Sequence, residues 1–176
     1  VRVLGFDQAT GKTGYALFAD DGTMDYGLIN LTGKAFRELD TNARARLMAL
    51  HVKRIIDTER PDVVVIEDVA LRTNVKTLIE LARLQGEIYA WCDDAGIPAV
   101  CLAPSQWRKQ CGIVQGRKPR PELKREAQEY VRKQFQAEAT ADEAEAICIA
   151  WAAWMNMSWR DEVQKEGNND GEEAGK

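Results

Sequence analysis

The sequence predicts an α/β fold: a five-stranded mixed sheet, an antiparallel meander continued by parallel strands, flanked by helices. Three features predict it. Short apolar runs broken by glycine and aspartate turn signals open the chain, as in a meander. A purely aliphatic run, Val63-Val64-Val65-Ile66, lies between two long stretches of helical spacing, as expected of a strand buried on both faces. The order is three strands, then helix-strand-helix-strand, then helices.

Residues 2–7 read as the first strand. Gly11 and Gly14 punctuate a turn, and Tyr15-Ala16-Leu17-Phe18 reads as the second strand. Asp20-Asp21-Gly22 is a turn signal, so a third strand is expected near 24–31. Phe36, Leu39, Leu47, Leu50, Ile55 and Ile56 recur at mostly helical spacing and predict a helix over 35–59. Pro61 follows it and the buried strand 62–67 comes next. Val75, Leu78, Leu81, Ala82, Ile88 and Tyr89 predict a helix over 74–94, ended by Gly96. Leu78, Leu81 and Ile88 suit either the core or a dimer face.

A short strand is expected at 98–102. A short helix carrying Trp107 should follow, with Ser105 as its cap. Residues 112–120 read as a basic loop, 121–136 as a charged helix and 141–157 as a more apolar one. Thr140 is the expected cap of that last helix, with Glu143 completing a capping box. Trp151 and Trp154, three apart on it, suit packing. The folded domain is expected over 1–160. Residues 161–176 are acidic and glycine-containing, an expected disordered tail.

The 176 residues are 45% apolar and 30% charged, the balance of one soluble globular domain. An apolar run of about 18 residues is missing, which predicts no membrane span, and no leader pattern opens the sequence. Cys92, Cys101, Cys111 and Cys148 show no CxxC pairing, so they read as free thiols and the compartment as cytoplasmic. His51, the single histidine, lies in a helical pattern, which argues against histidine chemistry.

Net charge is −4, but it is unevenly spread. Arg108, Lys109, Arg117, Lys118, Arg120, Lys124, Arg125, Arg132 and Lys133 meet only Glu122, Glu126 and Glu129 between 108 and 133, a local balance of +6. Such a segment beside acidic groups suits a metal-dependent enzyme acting on a polyphosphate.

Those acidic groups are Asp7, Glu67, Asp142 and Glu145. Asp7 closes the first strand and Glu67 the aliphatic one, while Asp142 and Glu145 are spaced i, i+3 on one helix face. Buried carboxylates need a positive partner. Four that converge suit a pair of divalent ions about 4 Å apart, which clamp the attacking and leaving oxygens of a phosphodiester. Asp7, central in the sheet, is the best bridging candidate. Taken alone, Asp142 and Glu145 read equally well as helix N-terminal acids.

Two other readings fail. Gly11-Lys12-Thr13 resembles a phosphate-binding loop, but five residues separate it from Gly5 where that motif has four, and a strand follows rather than a helix. The actin-like and sugar-kinase ATPases also open with a strand, an Asp and a glycine turn. Their nucleotide lies between two such domains, and the length here predicts one.

Five blocks together resemble the RuvC family of Holliday-junction resolvases, within the RNase H-like superfamily. They are Gly5-Phe6-Asp7-Gln8-Ala9-Thr10-Gly11-Lys12-Thr13-Gly14-Tyr15, Pro61-Asp62-Val63-Val64-Val65-Ile66-Glu67, Pro104-Ser105-Gln106-Trp107-Arg108-Lys109, Lys124 after a glycine-containing loop, and Asp142-Glu143-Ala144-Glu145-Ala146-Ile147-Cys148-Ile149-Ala150.

The resemblance implies an RNase H-like fold and a metal-dependent endonuclease that resolves four-way or other branched DNA. Asp7, Glu67, Asp142 and Glu145 would hold two Mg²⁺, or Mn²⁺, and hydrolysis would leave a 5′-phosphate. Lys124, with Arg108 or Lys109, would meet the scissile phosphate. Arg72, Arg117, Lys118 and Arg120 complete the expected DNA contacts, and the expected partners are branched DNA and a second copy of the chain. Three positions depart from the pattern: Gln8-Ala9 replaces a frequent Pro-Gly, Glu145 replaces the usual Asp, and Ala70 stands where an aromatic wedge is common. These departures keep open an alternative, a non-catalytic branched-DNA-binding module with the same fold.

Overall fold

The computed structural model describes residues 1–69 and 75–156. Ala70, Arg72 and the acidic tail therefore lie outside the described residues. The expected sheet is present. Strands β1 (Arg2–Asp7), β2 (Lys12–Ala19) and β3 (Met24–Asn30) form an antiparallel meander. Strands β4 (Val63–Glu67) and β5 (Ala99–Leu102) extend it in parallel beyond β1, in the order β3-β2-β1-β4-β5.

Strand alternation divides the core in two. Leu4, Phe6, Val64 and Ile66 point to one face, where they pack with Met48, Val52 and Ile56 of α1 (Thr41–Glu59) and Leu84 and Ile88 of α2 (Val75–Ala95). Val3, Val63 and Val65 point to the other. That face carries α3 (Pro104–Gln110), α4 (Arg120–Phe135) and α5 (Ala141–Met155). Helix α5 lies against the sheet and under α4. Its residues from Ala144 to Ala150 are all buried, which explains its lack of a polar stripe.

Small residues let α5 sit this low. A Cβ added at Gly5 of β1 would come within 2.7 Å of both the backbone nitrogen and the Cβ of Ala150. One added at Gly14 of β2 would collide with the Asp142 carbonyl. The two glycines thus seat the helix at both ends of its contact with the sheet.

Two local expectations are corrected. The helix predicted over 35–59 begins only at Thr41, because Asp40 caps it by accepting from the Ala43 N–H (2.7 Å). Phe36 belongs to a preceding 3-10 turn and Leu39 to the link between them. The cap of α3 is Ala103 rather than Ser105. Pro104 starts the helix, and Gln106 Oε1 accepts from the Ala103 N–H (2.8 Å). The capping box at Thr140 and Glu143 is present as expected. Trp151 and Trp154 stack on each other, and Trp151 packs against Phe18 and Phe135.

The glycine contact gives a direct test. Gly5→Ala should destabilise the fold by about 1–3 kcal/mol through overpacking against Ala150. A lower urea midpoint with unchanged slope is the expected result.

Candidate active site

Residue parity aims the two strand carboxylates. Asp7 follows Val3 and Gly5 onto the α5 face, and Glu67 follows Val63 and Val65. Phe6 pairs with Ile66 in the parallel ladder, so Asp7 and Glu67 end adjacent strands side by side. The turn after Asp7 is tied by Thr13, which is fully buried. Its hydroxyl donates to the Ala9 carbonyl (2.7 Å) and accepts from the Ala9 N–H (3.1 Å).

The first turn of α5 supplies the other two. The capping box fixes where the helix begins, and Gly14 fixes how close its first turn comes to β2. Asp142 and Glu145 then face Asp7. One oxygen from each of Asp7, Asp142 and Glu145 lies within 4.8 Å of the others. Asp7 and Glu145 are buried, at 6% and 2% exposure. Glu67 stands just outside this trio and is joined to it through Arg108.

Two cations hold the acids together. Lys124 of α4 places Nζ 2.7 Å from Asp142 Oδ1 and 3.7 Å from Asp7 Oδ2, and it also pairs with Glu145 Oε2. Arg108 of α3 lies 3.5 Å from Glu145 Oε1 and 3.8 Å from Glu67 Oε1, and donates to Gln115 Oε1 (3.0 Å). Its guanidinium sits 4.6 Å from the Trp107 ring centre. Trp107 is fully buried and donates its indole N–H to Glu67 Oε1 (2.9 Å).

Burial raises the Asp7 pKa well above the ordinary carboxylate value, and the charge of Glu145 raises it further, against the opposing pull of Lys124. Burial also raises Glu67, while the Trp107 hydrogen bond draws it back. For Lys124, burial disfavours the ammonium, but the charges of Asp7 and Glu145 and the bonds to Asp142 and Glu145 outweigh it and leave its pKa raised. The arrangement is a crowded set of hard oxygen donors that carries more negative charge than its environment accepts. That donor set fits a divalent ion of the Mg²⁺ or Mn²⁺ kind.

Glu145 is buried, while Asp7, Glu67 and Asp142 line a cleft of about 560 Å³. Lys118 and Arg120 line it, as does Lys12, which the sequence reading passed over. Lys118 is paired with Glu126 across the start of α4. Of the other basic residues expected at DNA, Arg117 and Lys109 are exposed but do not line the cleft. Arg72 lies outside the described residues. Arg108 is mostly buried in the carboxylate network and also lines the cleft. Trp107 is too buried to stack on a base, so only its burial reading survives. Gln8 was also missed as a site residue. Its signal was weak, a polar side chain directly after the strand-end Asp.

Comparison with known proteins bears on this geometry. The family model for crossover junction endodeoxyribonuclease RuvC matches residues 3–152. The chain belongs to the RuvC family. A RuvC from Trichlorobacter lovleyi is 30% identical over 149 residues, covering 85% of this chain and 83% of the relative. One from Syntrophomonas wolfei is 27% identical over 154 residues, covering 85% and 86%. Among solved structures, Thermus thermophilus RuvC in complex with Holliday junction substrate superposes with a TM-score of 0.67 at 16% identity, covering 86% of this chain and 92% of that one. Fowlpox virus resolvase with its Holliday junction DNA gives 0.59 at 10% identity, covering 86% and 95%. The RuvC-like, RNase H-like fold expected from the five sequence blocks is thereby established.

The raised Asp7 pKa has a stability consequence in this RuvC-family chain. A carboxyl whose pKa is raised by folding contributes stability below its unfolded value, about 3.9, and loses that contribution as pH rises through the folded value. In EDTA, Asp7→Asn should therefore raise Tm at pH 8 by roughly 2–4 °C, the shift that about 1 kcal/mol produces at this chain length. The gain should shrink toward pH 4, which melts at both pH values would read.

Proposed function

We propose that this RuvC-family chain is a Mg²⁺-dependent, structure-selective DNA endonuclease that resolves four-way junctions or other branched DNA. The observation that carries this reading is the approach of Asp7, Asp142 and Glu145 within 4.8 Å, with Asp7 and Asp142 opening onto a cleft that has basic residues in its lining. Asp7, Asp142 and Glu145, with Glu67 beside them, would hold the divalent ions, two in this reading. Bound divalent ions supply Lewis-acid activation of the phosphodiester and of water at neutral pH.

The chain's own residues do the rest. Lys12, Lys118 and Arg120 bind the phosphate backbone and fix its register, contacts that carry no sequence information. Lys124 and Arg108 bring positive charge to the phosphate that becomes more negative as the bond breaks. The same two cations hold the carboxylates in place before DNA arrives. Hydrolysis would leave a 5′-phosphate, as the family resemblance implies, and Mn²⁺ would replace Mg²⁺ on the same oxygen donors.

A homodimer suits the two-fold symmetry of a four-way junction. An exposed stripe on α2 supports it: Val75 and Ile79 are 68% and 45% exposed, with Ala82, Gly86 and Ala90 continuing along the helix. Of the residues weighed for this role, Ile88 is core, while Leu78 and Leu81 are half-buried. Among the described residues no helix is long and apolar enough to cross a membrane. A cytoplasmic location goes with this reading.

Asp7→Asn should abolish cleavage of a synthetic four-way junction in Mg²⁺ while leaving junction binding within a few-fold of wild type. The assay compares four-way junction, flap and linear duplex, each in Mg²⁺ and in EDTA. Full activity in the variant would sink the proposal. Tight junction binding by wild type without cleavage in Mg²⁺ or Mn²⁺ would favour the non-catalytic binding module instead.

A further inference from the structure

We propose that Gln8 and Trp107 are positioning residues that together fix Glu67 as a ligand for the second divalent ion. This rests on the metal-dependent reading above. It concerns two residues outside the carboxylate set, one of them at a position where the chain departs from its family's common pattern.

The first grip is on the backbone. The Gln8 carboxamide donates from Nε2 to the Glu67 carbonyl (2.5 Å) and accepts at Oε1 from the Glu67 N–H (3.1 Å). One side chain thus satisfies both main-chain groups of Glu67. The paired register of β1 and β4 runs to Phe6 and Ile66, and the Gln8 amide stands in for a further rung beyond it. Gln8 is 7% exposed, so water competes little for these bonds. A proline at this position could make neither.

The second grip is on the carboxylate. Trp107 donates its indole N–H to Glu67 Oε1. The indole is enclosed in the core on the α5 face and covered by the Arg108 guanidinium, so it cannot follow Glu67 if the carboxylate swings. Arg108 approaches the same oxygen. Both contacts therefore converge on Oε1 and leave Oε2 for a metal. A glutamate has three side-chain torsions, whose freedom opposes ligation unless it is removed beforehand. Partners that orient a metal ligand in this way typically change metal affinity 10–100-fold when lost.

The test titrates Mn²⁺ alone into DNA-free protein by calorimetry, for wild type, Glu67→Gln, Trp107→Phe and Gln8→Met. Phenylalanine keeps an aromatic ring in the core without the N–H donor, and methionine matches the length of glutamine without its amide. Thermal melts in EDTA report folding. Glu67→Gln identifies the binding event that depends on Glu67. Trp107→Phe and Gln8→Met should each weaken that same event about 10-fold, and raise by a similar factor the Mg²⁺ concentration giving half-maximal junction cleavage. If Trp107→Phe melts without cooperativity, Gln8→Met decides the matter, because its side chain lies at the sheet end and outside the aliphatic core. Wild-type Mn²⁺ binding in both variants, with the Glu67→Gln effect intact, would overturn this proposal and leave the metal-dependent reading standing. Absence of Mn²⁺ binding by wild type, or binding unaffected by Glu67→Gln, would overturn the present proposal; the former would also count against the metal-dependent reading.

Discussion

Carboxylates brought within 4.8 Å of one another and taken out of water repel, and the fold has to hold them there. Asp7 and Glu145 have almost no access to solvent, so water relieves little of that repulsion. Two cations from two different helices do so instead. Lys124 of α4 reaches three of the acids, and Arg108 of α3 spans Glu145 and Glu67. Helices α3 and α4 therefore have to pack where their cations reach the end of the sheet. The raised pKa values of Asp7 and Glu67 reflect burial first, and then the neighbouring carboxylate charge that the cations do not cancel.

The second requirement is closeness. Asp142 and Glu145 meet Asp7 only because α5 rests directly on β1 and β2, and it rests there because positions 5 and 14 carry no side chain. The alanines of α5 complete the fit from the helix side. An ordinary amphipathic helix, with larger side chains facing the sheet, would stand farther off and hold Asp142 and Glu145 away from Asp7. The near-continuous burial of α5 is thus part of the site's construction and not only of the core.

Much of this was legible in the residues. The aliphatic purity of Val63-Val64-Val65-Ile66 marked a doubly covered strand, and Asp7 and Glu67 were placed correctly at two strand ends. The Thr140–Glu143 box marked the start of α5. What escaped was tertiary. Arg108 was expected at the phosphate together with Lys124, but its pairing with both Glu67 and Glu145 joins residues far apart in sequence and had no local signal. Trp107 could be weighed as buried or stacking, but its bond to Glu67 joins residues forty apart. Asp40 was overlooked because the apolar spacing ran through it, and periodicity says nothing about where a cap interrupts a helix. Arg72, Ala70 and the tail from 161 were read from sequence alone and lie outside the described residues.

The parity of the strands carries one last consequence. Ile66 belongs to the α1–α2 core and Glu67 to the opposite face, and the same division separates Phe6 from Asp7. If β4 slipped by one residue against β1, Glu67 would move among the aliphatic side chains and Ile66 into the acidic cleft. A misregistered sheet would lose its core and its chemistry in the same step. Folding thereby proofreads the candidate site: a molecule that has closed its apolar core has already sorted its carboxylates onto one side of the sheet.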